Sequence, residues 1–283
     1  TYLAKMKRKR KIIKKIKENE WFIKAFTESY LITNRQSLFN ENLTKAEAKF
    51  LSDTFEKFNI KKENKLMDLF GGFGRVSFEL YKNGWKNIVV FDLSKFLINY
   101  GKNLARQKKL KGIKFVRGDA RKVSNFFKPE SFDVIFIMGN SIGYTNPKDD
   151  VLVFKNVYKL LKKGGIFIVD LRKFEDYENF KKENYWKAID SENYVLREKR
   201  LAKITEDYIL IKVKQILISF EKNLLENMDY KLYVYHQNYI KRVLEQIGFK
   251  NIQFVKDYLN PYFKEKKLNL GFLNSRLALI TQK

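Results

Sequence analysis

The sequence has no cysteine, one histidine and three prolines in 283 residues. Without cysteine there are no disulfides, zinc–thiolate sites or cysteine nucleophiles, and a reducing cytoplasm is the expected compartment. No apolar run approaches the roughly 20 residues that a membrane-spanning helix needs. The basic segment near the start is not followed by the apolar stretch of a secretory signal. No metal site and no membrane span are therefore predicted.

Basic residues greatly outnumber acidic ones. The formal net charge is +26, from 58 Lys and Arg against 32 Asp and Glu. Residues 1–20 hold nine of the basic side chains, but the excess continues through the rest of the chain. Such a charge indicates attraction to phosphate-rich partners such as RNA, or simply a lysine-rich solvated surface. Both interpretations stay open from the sequence.

Two helical segments are predicted ahead of the first strand. Ile12, Ile13 and Ile16 share one face of a helix that would span residues 3–33. Thr44 and Glu47 have the spacing of a capping box at the start of a second helix. Residues 1–60 are therefore expected to form a basic helix and a helical lid.

Apolar strand-like runs then alternate with helical ones between residues 61 and 182. The runs are "KLMDLF", "NIVVFD", "IKFVRGD", "FDVIFIMG" and "GGIFIVDL". Continuous apolar strands separated by helices are typical of a parallel sheet that is buried on both faces. The predicted fold class is α/β, with a doubly wound, Rossmann-like sheet.

The pattern changes in residues 183–235, where long strand-like stretches follow one another without a helix. Ile211 and Val213 alternate with Lys212 and Lys214, as in a half-exposed antiparallel sheet. We expect this segment to be an antiparallel insertion over the active site. The final residues, 236–283, then complete the core sheet.

A glycine-rich turn, "MDLFGGFGRV", follows the first apolar strand and precedes a helix. Such a turn lets a ligand approach the backbone closely. The dinucleotide fingerprint fails because Ser77 stands at its third glycine, and the lysine of a P-loop is missing. Asp68 would repel a pyrophosphate but suits a ligand that carries an ammonium group.

This segment resembles the first motif of class I S-adenosylmethionine-dependent methyltransferases, D-x-G-x-G-x-G. Asp68, Gly72 and Gly74 match it, and Gly71 lies within it, whereas Phe70 replaces its first glycine. The resemblance covers about residues 30–170 and the terminal strand return. It implies S-adenosylmethionine as cofactor and S-adenosylhomocysteine as product. Phe70 would either narrow the space beside the methionine part of the cofactor or pack beneath it.

Later positions continue the resemblance at the ends of successive strands. Asp92 matches the carboxylate that binds the ribose hydroxyls in this family. Asp119 and Ala120 match the pair that holds the adenine. Leu93 and Met138 are also expected to contact the cofactor.

The loop "GNSIGY" resembles the "GNSF" loop of glycine and sarcosine N-methyltransferases. The resemblance implies that Asn140 and Arg172 bind the carboxylate of the acceptor. Tyr30 and Tyr144 are candidates to line the methyl pocket, or else ordinary packing residues. His236 is either an acceptor-binding base or a helix-start residue bonded to the backbone.

The alternative is that Arg172 forms an ion pair with Glu175 or Asp176 and that Asn140 only shapes the loop. The expected function is methyl transfer from S-adenosylmethionine to nitrogen or oxygen of a small acceptor, for which the loop resemblance implies a carboxylate. The first rival is an RNA methyltransferase that grips phosphates with its basic surface. The second is a non-catalytic cofactor-binding or scaffold protein, for which Phe70 is the hint. The oligomeric state is not predicted.

Overall fold

A computed structural model describes residues 12–16, 21–262 and 276–283. The helices are α1 (Trp21–Lys24), α2 (Glu28–Thr33), α3 (Arg35–Leu38), α4 (Glu41–Lys57), α5 (Arg75–Lys82), α6 (Lys95–Gln107), α7 (Pro147–Leu160) and α8 (Gln237–Ile247). The first six strands are β1 (Ile12–Ile16), β2 (Leu66–Leu69), β3 (Ile88–Asp92), β4 (Ile113–Arg117), β5 (Phe132–Ile137) and β6 (Leu161–Arg172). The others are β7 (Lys182–Ala188), β8 (Asn193–Ile204), β9 (Tyr208–Ser219), β10 (Leu224–Tyr235), β11 (Lys250–Lys256) and β12 (Arg276–Gln282).

The central sheet has the strand order β11-β12-β6-β5-β2-β3-β4. Strands β2 to β6 run parallel to one another, and β12 pairs antiparallel with both β6 and β11. The direction of winding reverses at β2, which lies between β3 and β5. The predicted doubly wound α/β sheet is therefore confirmed.

Helices cover both faces of this sheet, which explains its continuously apolar strands. Helices α4, α5 and α6 contribute to the apolar cluster on one face, and α7 and α8 to that on the other. On the first face, the ring of Phe55 packs edge-on against Trp85, and the Trp85 indole donates a 3.0 Å hydrogen bond to Ser52. No helix in the described ranges is long and apolar enough to span a bilayer.

A second sheet has the order β1-β10-β9-β8-β7 and is antiparallel except for the β1–β10 pair. Ile209, Ile211 and Val213 are buried, whereas Lys212 and Lys214 are exposed, as their alternation predicts. The sheet contacts the loop after β5, since Tyr233 donates a 2.8 Å backbone hydrogen bond to the Gly143 carbonyl.

The start of the chain differs from the prediction. Residues 12–16 form a strand parallel to β10 rather than part of a helix, and residues 1–11 and 17–20 of that predicted helix lie outside the described ranges. Pairing with β10 gives hydrogen-bond partners to the backbone groups on one side of this edge strand, and isoleucine suits a strand. The buried Ile16 side chain packs with Trp21 and Met228.

The predicted capping box is also wrong. Helix α4 begins at Glu41, and the Asn40 side chain caps it by accepting a 2.9 Å hydrogen bond from the Leu43 amide. Thr44 and Glu47 therefore lie within the helix. The Thr44 hydroxyl accepts a 2.8 Å hydrogen bond from Arg75, and Glu47 belongs to the ionic network described with the site below.

Candidate active site

The glycine-rich turn lies where the winding of the central sheet reverses. It leaves β2 at Leu69 and enters α5 at Arg75. In open α/β sheets, ligands bind outside the carboxyl ends of the strands at this reversal. Gly72 has φ of +56°, which other residues adopt with strain, and only Leu97 lies within 4 Å of where its Cβ would be.

Phe70 also has a positive φ, +60°, at the position where the resemblance expects glycine. This conformation is uncommon for a bulky side chain and costs free energy. The partly buried ring packs against the apolar cluster beneath the second face of the sheet and lines a small cavity beside the turn. The sequence thus departs from the motif, while the backbone at Phe70 has a conformation that favours glycine.

Asp92 ends β3 beside this turn. Its carboxylate accepts hydrogen bonds from the backbone amides of Gly72, at 2.9 Å, and Ser94, at 2.8 Å. Burial raises the pKa of Asp92, while these amides act in the opposite direction. The two carboxylate oxygens have four lone pairs between them, so acceptor capacity for a ligand remains beside the backbone amides. This arrangement fits a pair of ribose hydroxyls.

The carboxylate of Asp119 forms a salt bridge with Arg121, a residue that the sequence analysis did not single out. Arg121 donates to both of its carboxylate oxygens, from Nε at 3.0 Å and from Nη2 at 2.6 Å. Burial alone would raise the pKa of Asp119, but the hydrogen bonds and charge of Arg121 outweigh it and lower that pKa. Arg121 also pairs with Asp149 at 3.0 Å and lies 5.4 Å from the Phe22 ring centre.

The small cavity has a volume of about 90 Å³. Of the predicted cofactor residues, Gly72, Asp92, Leu93, Asp119 and Ala120 line it. Its other walls include aromatic side chains of the N-terminal helices, such as Phe22 and Phe26. The volume is below the roughly 300–1,000 Å³ of most small-molecule sites. A cofactor therefore needs some displacement of these walls.

The other predicted cofactor residues lie behind this lining. Asp68 is 3% exposed and accepts a 2.7 Å hydrogen bond from the Ser77 hydroxyl. Burial raises the pKa of Asp68 to about 7, although the Ser77 hydrogen bond opposes this. Gly71, Gly74 and Met138 do not line the small cavity either. Asp68 is thus placed to support the turn from within.

A second, larger cavity of about 870 Å³ lies between the turn and the second sheet. Its walls come from α1 to α3, from the loop after β5 and from strands β7 to β10. Phe26, Tyr30 and Tyr144 line both cavities and so form the boundary between them. The structure therefore brings the two predicted tyrosines to the boundary between the two cavities.

Aromatic rings pack closely at this boundary. Phe26 lies 4.9 Å from Tyr30, and Trp21 lies 5.0 Å from Tyr144, both measured between ring centroids. Burial raises the pKa of Tyr30, with a smaller contribution from Tyr144, so its phenol stays protonated at neutral pH. The faces of such rings attract cations, as in cation–π pairs.

Arg172 and Asn140 lie together beside Tyr144. The Nη1 atom of Arg172 donates to the backbone carbonyls of Asn140, at 3.0 Å, and Ile142, at 3.2 Å. The side-chain Oδ1 of Asn140 is buried and has no hydrogen-bond partner within the described residues. An unsatisfied buried acceptor is costly, which indicates a partner that a ligand would supply.

The alternative ion pair for Arg172 is wrong within the described chain. Glu175 instead accepts hydrogen bonds from Lys256, at 2.8 Å, and Gln237, at 3.0 Å. The salt bridges among the described residues include none between Arg172 and Asp176. Arg172 therefore holds the loop after β5 and faces the larger cavity.

A buried ionic network supports this loop from behind. Glu47 pairs with Arg75 at 2.5 Å and with Arg276 at 2.8 Å. Arg276 also donates to Asp170 through Nε at 3.0 Å, and Asp170 accepts a 3.0 Å hydrogen bond from the Asn140 amide. The network joins α4, α5, β6, β12 and the loop, and no local sequence pattern revealed it.

His236 lies outside both cavities. It is the N-cap of α8, where its Nδ1 accepts a 3.1 Å hydrogen bond from the Asn238 amide. Its ring packs edge-on against Phe174. Of the two interpretations offered by the sequence, this position favours the helix-start residue.

Comparison with known proteins identifies the family. Residues 60–208 match the family model described as a methyltransferase domain. The chain belongs to this methyltransferase family. The predicted enzyme class, an S-adenosylmethionine-dependent methyltransferase, is confirmed at this level.

Individual relatives agree with the family and the fold. A glycine/sarcosine N-methyltransferase from Aphanothece halophytica is 22% identical over 253 residues, which is 88% of this chain and 86% of the relative. A crystal structure of an S-adenosylmethionine-dependent methyltransferase from Clostridium acetobutylicum superposes with a TM-score of 0.68 at 20% identity, covering 90% of this chain and 98% of that one. The CcbJ methyltransferase from Streptomyces caelestis gives 0.66 at 14% identity, with 84% and 88% coverage.

Other curated relatives match over a shorter length. The chain spans 49% of a demethylmenaquinone methyltransferase from Geobacillus, at 26% identity over 119 residues. Such matches cover about 41% of this enzyme. They support the family without bearing on the acceptor.

Proposed function

We propose that this methyltransferase transfers the methyl group of S-adenosylmethionine to the nitrogen of a small acceptor that carries a carboxylate. The observation that carries the proposal is the larger cavity, which adjoins the small one at Tyr30 and Tyr144 and contains Arg172 and Asn140. The relative from Aphanothece halophytica, whose name gives glycine and sarcosine as acceptors, supports it.

The small cavity would hold the cofactor, which supplies an electrophilic methyl group on a sulfonium. Asp92 would bind the ribose hydroxyls with its remaining lone pairs. Ala120 and Asp119, with Arg121 beside them, would border the adenine. The exposed backbone at Gly72 gives room for the methionine part.

The acceptor would be oriented from the other side of the boundary. The guanidinium of Arg172 suits a carboxylate, and the Oδ1 of Asn140 suits an amine N–H. Such positioning supplies much of the catalysis of an in-line displacement. The aromatic rings around Tyr30 and Tyr144 keep water from the reacting atoms and favour positive charge there.

Nitrogen is favoured over oxygen because the described residues that form the boundary, Phe26, Tyr30 and Tyr144, include no carboxylate or imidazole base. A hydroxyl acceptor needs proton removal, whereas an amine needs only to be unprotonated. Tyr30 keeps its proton because burial raises its pKa, and His236 lies elsewhere. The hydroxyl of Tyr30 therefore acts as a hydrogen-bonding group.

The test compares two forms of each candidate acceptor. One is the free amino acid, which carries the carboxylate, and the other is its amide, which does not. We expect the carboxylate form to be methylated at least about tenfold more efficiently, since a charged hydrogen-bonded pair contributes roughly 1.5–3 kcal/mol. Arg172→Ala should remove this preference by raising the acceptor KM while leaving the cofactor KM unchanged. Equal turnover of acid and amide, or equal effects of the variant on both KM values, would refute the carboxylate site.

RNA is the second candidate acceptor, and the net charge of +26 is the observation that favours it. Binding of RNA to a phosphate-contacting surface weakens steeply with salt. Filter binding of a short RNA at two salt concentrations, with methylation of the same RNA, tests this candidate. Salt-sensitive binding without methyl incorporation would favour the small acceptor.

A further inference from the structure

One face of the second sheet forms the floor of the larger cavity, and its centre is polar. Tyr185, Arg197, Gln215 and Met228 stand opposite one another in register across β7, β8, β9 and β10. All four line the cavity. A sheet face that packs on a protein core is apolar. Polar groups in the middle of this face therefore indicate contact with something other than the core.

Arg197 is held rigidly by neutral partners. Its Nε donates to the Gln215 Oε1 at 2.9 Å, and its Nη2 donates to the same oxygen at 2.5 Å. Its Nη1 donates to the Tyr185 hydroxyl at 2.7 Å. These contacts use three of the five N–H groups of the guanidinium. One N–H on each terminal nitrogen has no acceptor among the described residues.

Arg197 forms no salt bridge with an acidic side chain of the described chain. Glu183, on the neighbouring strand, pairs instead with Lys199 at 2.7 Å. Glu226, on the far side of the floor, is occupied by Lys14 at 2.6 Å and by the Ser29 hydroxyl at 3.0 Å.

Lys187 adds to the positive charge at this end of the cavity. It lies two residues from Tyr185 on the same face of β7 and lines the cavity. Burial and the nearby charge of Arg197 lower the pKa of Lys187. Lys187, Arg197 and Lys199 thus place three positive charges on the cavity wall, and Glu183 forms a salt bridge only with Lys199 among them.

We propose that the acceptor carries a second anionic group, a carboxylate or a phosphate, and that Arg197 binds it on the floor of the larger cavity. The proposal rests on the proposed function in taking this cavity as the acceptor site. A planar guanidinium that is fixed in place loses little entropy on binding an oxyanion. Arg172 and Arg197, which both line the cavity, would then orient a dianionic amine.

Calorimetric titration of the full chain saturated with S-adenosylhomocysteine tests the proposal, with inorganic phosphate and glutarate as probes. We expect Arg197→Gln to weaken binding of the preferred probe roughly tenfold or more, since it removes a charge-assisted contact. Tighter binding of phosphate indicates a phosphorylated acceptor, and tighter binding of glutarate indicates a dicarboxylic one. Unchanged affinity for both probes would overturn the proposal.

Arg200→Gln is the matched control. Arg200 is an exposed residue of the same strand, on the opposite face, where it pairs with Glu198 at 2.7 Å. This variant loses the same charge and should bind as the wild type does. An equal loss of affinity would show general charge attraction and would refute a specific site.

Gln215→Glu is a second variant that keeps the arginine and the size of its partner. The new carboxylate would neutralise the charge of Arg197. We therefore expect this variant to lose binding of both probes and to keep binding of S-adenosylhomocysteine. Probe binding that survives this substitution would contradict the proposal.

Arg172→Ala separates this proposal from the proposed function. If that variant no longer prefers the free acid over the amide but still binds phosphate, the result supports both the carboxylate site at Arg172 and the anion site at Arg197. Phosphate binding that depends on Arg197 but does not compete with the acceptor would overturn the assignment to the acceptor. The carboxylate site at Arg172 would still stand.

Discussion

The carboxylate of Asp92 accepts a 2.9 Å hydrogen bond from the amide of Gly72, across the gap between two parallel strands. This bond fixes the glycine-rich turn and leaves the carboxylate directed at the small cavity. The turn and the proposed ribose contact therefore depend on one side chain.

Asp92→Ala should weaken binding of S-adenosylhomocysteine by at least about a hundredfold. Two hydrogen bonds from a charged acceptor, each contributing roughly 1.5–3 kcal/mol, would be lost. Calorimetric titration measures the affinity, and Asp53→Ala on the outer part of α4 is the control. An unchanged affinity would refute the proposed ribose contact.

Phe70→Gly should strengthen binding of S-adenosylhomocysteine several-fold. Glycine adopts the φ of +60° without strain, and removing the ring enlarges the small cavity. Phe70→Leu keeps the backbone strain and removes part of the bulk, so its affinity should fall between those of the wild type and Phe70→Gly. Weaker binding by Phe70→Gly would show that the ring packs against the cofactor.

Glu47→Gln should lower the free energy of unfolding by about 3–5 kcal/mol. It leaves the charges of Arg75 and Arg276 without their shared carboxylate, and Arg276 is 3% exposed. Urea denaturation measures the change. Glu79→Gln removes a surface pair with Lys82 and should cost less than about 1 kcal/mol. Equal losses of unfolding free energy in the two variants would mean that the buried network contributes little to stability.

Gly143→Ala should destabilise the protein more than Gly139→Ala does. Both glycines have positive φ, +91° and +74°, so the backbone strain is similar. A Cβ at Gly143 would lie 2.1 Å from the Tyr233 carbonyl oxygen, whereas nothing lies within 4 Å of one at Gly139. The difference in melting temperature therefore isolates the contact between the loop and the second sheet. Equal melting temperatures would show that the loop and the second sheet can move apart at little cost in free energy.

Asp150→Asn should change how stability depends on pH. Burial raises the pKa of Asp150 to about 7, although hydrogen bonds from Tyr235 and Gly143 oppose the shift. The unfolded value is about 3.9. The folded state thus binds the proton more tightly, and this stabilisation, complete below about pH 4, is lost as pH rises through 7.

Because asparagine does not titrate, the stability of the Asp150→Asn variant relative to the wild type should rise between pH 5 and pH 8. We expect a rise of roughly 1–3 kcal/mol. Urea denaturation of both proteins at the two pH values measures it. A relative stability that does not change with pH would contradict the shifted pKa.

The sequence predicted the features that depend on neighbouring residues. Apolar runs and the glycine-rich turn revealed the central sheet, and alternation at Lys212 and Lys214 revealed the second one. It did not predict that residues 12–16 pair with β10, because that contact joins positions 212 residues apart, as in the Lys14–Glu226 pair. The counter-ions of Glu47 and the neutral partners of Arg197 were not predicted either, because these partners also lie elsewhere in the sequence.

The network from Arg75 through Glu47, Arg276 and Asp170 to the Asn140 amide joins the stability of the fold to the proposed acceptor site. Substitutions at these positions would change both the free energy of unfolding and, through the proposed site, the choice of acceptor. An engineer who seeks a new acceptor should therefore leave this network intact. The floor of the second sheet, which has separate supports, is the better place to diversify.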